Sequence, residues 1–156
     1  MGMHRLIILI ALALTAPALA QEARVWNFDD NPEAPALGFG APDSDDILIG
    51  FSCEPGTKQM TIVESVASTK VNPGAGVPLK LSAGATSLTL TGNAIVNETD
   101  GAVSIEVTGT VNPRVFALLK AGPSLTIEVP GASETIPLAG ATPHVAAFER
   151  LCSGKR

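Results

Sequence analysis

Ile47-Leu48-Ile49-Gly50-Phe51-Ser52-Cys53, followed by Glu54-Pro55-Gly56, is the stretch on which the reading of the fold turns. Its apolar residues alternate with a period of two. Ile47, Ile49, Phe51 and Cys53 share one face, and Leu48, Gly50 and Ser52 share the other. That is the pattern of a half-buried strand, and it carries Cys53 to the core side. Pro55-Gly56 then turns the chain, so Lys58 to Ser65 reads as the hairpin partner.

Strand signals continue on both sides. Upstream, Arg24-Val25-Trp26-Asn27-Phe28 and Ala36-Leu37-Gly38-Phe39 are short strand candidates between the turn clusters Asp29-Asp30-Asn31-Pro32 and Ala41-Pro42-Asp43-Ser44-Asp45-Asp46. Downstream, a loop is expected at Asn72-Pro73-Gly74-Ala75-Gly76. Alternating pairs follow at Leu79/Leu81 and Leu88/Leu90. Gly92-Asn93 reads as punctuation, with a separate segment at Ala94 to Asn97. Asp100-Gly101 is a strong hairpin signal, since that dipeptide accepts the positive φ of a tight turn, and Val103, Ile105 and Val107 alternate after it.

The last third differs. Asn112-Pro113 can cap and start a short helix over residues 113–121, which Gly122 stops. Leu125/Ile127/Val129 and residues 134–138 read as further strands. Thr142-Pro143 repeats the capping device for a final helix that sets Val145, Phe148, Leu151 and Cys152 on one face. The fold expected is mainly β: an antiparallel β-sandwich or open barrel of about eight to ten strands, with one or two short helices near the C-terminus.

The N-terminal residues point to export. His4 and Arg5 precede an unbroken apolar run from Leu6 to Leu14, then Pro17 and the small-residue sequence Ala18-Leu19-Ala20. These are the three parts of a secretory signal peptide, with cleavage expected after Ala20. The run falls short of the roughly 20 apolar residues that span a bilayer, so an uncleaved anchor is the lesser reading. The expected organisation is a leader at 1–20 and a single β-rich domain at 21–156, periplasmic or secreted. All fifteen acidic residues, but only nine of the ten basic ones, lie after residue 20, giving that domain a net charge of −6. An acidic domain without a basic stripe is a poor nucleic-acid binder and is not drawn to anionic lipid by charge.

The two cysteines, Cys53 and Cys152, form an even pair in a small exported domain, which reads as a disulfide. Their spacing fits neither a zinc site, with only His144 left as an imidazole after cleavage, nor a C-x-x-C redox pair. No metal or other cofactor is expected. Asp43, Asp45 and Asp46, with Asp29 and Asp30 nearby in sequence, are candidate calcium ligands by type. They lack the central glycine and closing glutamate of an EF-hand loop, and Asp and Asn are ordinary turn formers. His144 would have to serve any serine or cysteine triad, yet no Gly-x-Ser-x-Gly elbow is present and the disulfide would occupy both thiols. The sequence lacks tyrosine and has a single tryptophan, a poor supply of platforms for a sugar cleft. Gly74-Ala75-Gly76 has no following helix and lysine to form a phosphate loop.

A resemblance rests on Trp26, Leu37-Gly38-Phe39, Pro42-Asp43-Ser44-Asp45-Asp46 and Phe51-Ser52-Cys53-Glu54-Pro55-Gly56. Further along it rests on residues 115–122, Ile136-Pro137-Leu138-Ala139-Gly140 and the terminal helix with Phe148 and Cys152. Over most of the expected mature chain, this layout is similar to small proteobacterial periplasmic proteins of the invasion-associated locus B family and the VasI-like type VI secretion accessory proteins. The resemblance implies a β-sandwich-like domain and a non-enzymatic envelope protein, and it carries over no site residues. Three functions follow as expectations. The first is an exported interaction module without catalysis, binding another envelope or secreted protein through Asp43, Asp45 and Asp46. The second is an inhibitor of a lytic enzyme such as lysozyme. The third is a hydrolase working with carboxylates alone.

Overall fold

The computed structural model describes residues 23–98 and 101–154. The expected leader at 1–20 and the Asp100 half of the Asp100-Gly101 turn lie outside the described residues. The elements run β1 (Val25–Asp29), β2 (Ala36–Gly40), β3 (Ile47–Glu54), β4 (Gln59–Glu64), β5 (Gly74–Ala83), β6 (Thr86–Val96), β7 (Val103–Thr110), α1 (Pro113–Leu119), β8 (Ser124–Val129), β9 (Ala132–Pro137) and α2 (Thr142–Cys152). The described strands form one nine-stranded antiparallel sheet in the order β1-β2-β3-β4-β7-β6-β5-β8-β9, curled into a half-barrel. Of the two architectures expected, the open barrel is the one observed; there is no second sheet among the described residues.

The curl has a physical filling. α1 packs on β5 and β6, α2 packs on α1 and β2, and the side chains between them are buried. Phe51, Phe116 and Phe148 are almost fully buried. Phe148 meets Phe116 edge to face at 5.7 Å between centroids and Phe28 at 6.4 Å, both favoured aromatic geometries. Asn112 caps α1 as expected, its Oδ1 accepting the Arg114 N–H at 3.0 Å. The disulfide joins Cys53 on β3 to Cys152 on α2 with Cα atoms 5.6 Å apart, both residues buried. The free edges of the sheet approach each other, and the Trp26 indole N–H of β1 donates to the Pro137 carbonyl of β9 at 2.6 Å.

Several local expectations are corrected. Gly40 pairs with Ile47 while Phe39 pairs with Ile49, so Leu48 is the extra residue of a bulge. The bulge inverts the phase. Leu48 is buried, and Ile47 turns to the outer face beside Gly38 and Gly50. A Cβ at Gly40 would stand 2.4 Å from the Asp46 carbonyl, so no side chain fits there. Gly92 does not break the chain but sits within the continuous strand β6, where β7 comes so close that a Cβ would lie 2.5 Å from the Glu106 carbonyl. β5 begins at Gly74, inside the expected loop. Thr142 does not cap α2. Its hydroxyl donates back to the Leu138 carbonyl at 3.0 Å, and Ala141 occupies the cap position without a side-chain bond.

Candidate functional site

The turn between β2 and β3 builds an acidic corner. Asp43 takes a positive φ of 53°, which aspartate tolerates better than most residues. The Ala41 N–H donates to the Asp46 carbonyl, the Ile47 N–H to the Asp45 carbonyl, and the Asp46 N–H to Ser44 Oγ, at 2.9, 2.9 and 3.0 Å. The backbone of the turn is thereby satisfied internally, and its carboxylates face outward. Asp43 and Asp45 are exposed and have no ion pair among the described residues. Asp46 is held by Arg24, with Nη2 to Oδ1 at 3.3 Å, and Arg24 also reaches Glu134 of β9 at 3.8 Å.

Asp46 borders two grooves. One, of about 390 Å³, is lined by Asp45, Asp46, Ile47, Ser65 and Ser104. The other, of about 600 Å³, follows the seam between β1 and β9 and is lined by Arg24, Phe39, Ser44, Asp46, Glu134 and Ile136. Asp46 and Glu134 both line the seam, and the Arg24 guanidinium is ion-paired with each.

The other candidates are placed apart. Asp29 lies at the opposite end of the β1–β2 pair from the corner, in register with Ala36. Its Oδ1 accepts the Asn31 N–H, and Asn31 Oδ1 accepts the Glu33 N–H, so this cluster forms its own turn. No group of three His, Cys, Asp or Glu residues that could hold a metal ion occurs among the described residues. His144, in the first turn of α2, stacks its ring on Phe28 at 5.2 Å between centroids. Among the described residues no helix is long and apolar enough to cross a membrane.

Two features escaped sequence reasoning. Glu64 is the only buried charged residue among those described. Its Oε2 accepts the Val66 N–H at 2.9 Å. Burial pushes its carboxyl above the usual glutamate range, and hydrogen bonds from the Val66 and Ile105 backbones pull it only part of the way back. The signal was available, because Met60, Ile62 and Glu64 share strand parity. The second feature is the facing pair Gly38 and Gly50 on the outside of the sheet, visible only once the β2–β3 register is known.

No protein-family model matches the chain, and no curated protein matches it. Among solved structures, the chain is similar to the crystal structure of invasion associated protein B from Bartonella henselae. The TM-score is 0.46 at 10% identity, over 86% of this chain and 96% of that one. This is a distant structural resemblance, without a shared family at the level of sequence.

Proposed function

We propose that this chain is a non-enzymatic exported protein of the bacterial envelope, freed of its leader after Ala20, that binds another envelope or secreted protein through Asp43, Asp45 and Asp46. One observation carries the reading. The half-barrel's interior, where such folds hold small ligands, is filled by α1, α2 and the Phe51–Phe116–Phe148 cluster. The grooves at the acidic corner are on the surface and suit a macromolecular contact. Asp43 and Asp45, without an ion pair among the described residues, give the corner a field that favours a partner with complementary basic residues.

A photo-crosslinker placed at Ser44 tests this in cells. The expected result is a discrete crosslinked species that disappears in the Asp43→Asn/Asp45→Asn/Asp46→Asn variant. Persistence of the species in that variant removes the corner from the reading. N-terminal sequencing beginning at Gln21 checks the leader. The acidic charge also favours a second reading, inhibition of a basic lytic enzyme such as lysozyme. Addition of excess purified protein with no loss of lysozyme activity removes that reading.

A further inference from the structure

Gly38 and Gly50 face each other in register on adjacent strands, in the middle of the outer surface of β1–β4. Neither has a positive φ. A Cβ added at Gly38 would find its nearest neighbour at 3.7 Å and one at Gly50 at 3.5 Å, both on the Ile47 side chain, which is ordinary contact. The fold therefore demands glycine at neither position, in contrast to Gly40 next to them. Mid-strand glycine weakens a sheet, and a close approach from outside is a recognised reason for it.

The two glycines floor an apolar slot of about 330 Å³ bordered by Asn27, Ile47, Ser52 and Val63. That is at the small end of the roughly 300–1,000 Å³ range of ligand pockets. With no side chains on the floor, a flat ring can lie directly on the peptide planes. One carboxylate lines the slot, and two more stand farther out on the same face of the sheet. Asp29 lines the slot, Glu106 is the register partner of Val63, and Glu54 lies four residues along β3 from Gly50, its Oε2 accepting the Thr57 hydroxyl. None of the three has an ion pair among the described residues. β1 to β4 themselves contain no lysine or arginine; the nearest cation in sequence to Glu54 is Lys58, in the turn before β4.

We infer that the Gly38–Gly50 slot docks a cationic polypeptide segment, seating an aromatic side chain on the glycine floor with flanking Lys or Arg against Asp29, Glu54 and Glu106. A second copy of this chain is the disfavoured occupant, because pairing two such faces sets like charges together. The slot is a different surface from the acidic corner, so its failure leaves the corner's role standing.

The test titrates the tripeptide Lys-Trp-Lys into the oxidised, ¹⁵N-labelled protein and follows the amide signals of Gly38 and Gly50. Both are expected to shift saturably, with Glu-Trp-Glu binding at least about tenfold more weakly. Gly50→Val fills the slot from its floor and is expected to melt no lower than the parent while losing about tenfold or more in affinity. Silent glycine amides overturn the inference, as does equal binding of Lys-Ala-Lys or Glu-Trp-Glu, or unchanged affinity in Gly50→Val. If the same amides shift on dilution together with a change in sedimentation, the slot is a self-association face instead.

Discussion

Reducing the Cys53–Cys152 bond should remove a large part of the stability of the domain. The bond closes a loop of 99 residues. In the chain-entropy model a loop of that length restricts the unfolded ensemble by about 4.7 kcal/mol. Measured losses for native disulfides run at about 2–5 kcal/mol, against a total of about 5–15 kcal/mol for a typical domain. Reduction keeps both sulfurs in the core, so no cavity term is added. The assay is urea unfolding of oxidised and reduced protein. With a slope of about 1.5 kcal/mol/M, a loss of 4.7 kcal/mol moves the midpoint down by about 3 M. The reduced chain also expands further when unfolded, so its slope rises, and the free energies are the quantities to compare. A change below about 1 kcal/mol would refute the reasoning. It would mean that Val145 and Phe148 hold α2 on the sheet unaided, or that the reduced unfolded state stays as compact as the bridged one.

Phe148 is fully buried between Phe28 and Phe116, and Phe148→Ala should cost about 3–5 kcal/mol in the same assay. Gly40→Val places a Cβ 2.4 Å from the Asp46 carbonyl and should cost about 1–3 kcal/mol, as overpacking does. Asn112→Ala removes the acceptor for the Arg114 N–H and should cost about 0.5–2 kcal/mol, read from the melting temperature. Glu64 gives a pH dependence. Because its folded carboxyl holds its proton more tightly than the unfolded one, stability falls as pH rises from the ordinary glutamate range through the raised folded value, then levels off. Unfolding at a series of pH values should show this decline in the parent and a flatter profile in Glu64→Gln; identical slopes would rule Glu64 out as its source.

The parts of the fold that were legible depend on local pattern. Strand parity put Cys53 on the core face, helical periodicity put Cys152 on the buried stripe of α2, and the even count joined them. Asn112-Pro113 announced its helix because a cap is a contact within three residues. The illegible parts depend on neighbours distant in sequence. Alternation marks a buried face but not which strand lies alongside, so β7 beside β4 and β8 beside β5 separate a curled sheet from a sandwich only in three dimensions. Thr142-Pro143 has the composition of a cap, yet the preceding turn brings the Leu138 carbonyl to the hydroxyl first. Asp43, Asp45 and Asp46 were legible as a turn. The ion pair that removes Asp46 from the free set needs Arg24, 22 residues away.

β3 is where these features meet. Its inner face carries Cys53, its first residue, Ile47, adjoins the acidic corner, and its outer face carries Gly50. Fixing β3 to α2 from inside therefore stiffens both outward surfaces at once. A surface already held in its bound shape loses less entropy when a partner arrives. The disulfide should then influence binding as well as stability. Reduced protein under conditions where it remains folded should bind Lys-Trp-Lys more weakly and crosslink less at Ser44, though neither cysteine touches those surfaces. Equal binding by the oxidised and the reduced folded forms would confine the bond's effect to the unfolded chain.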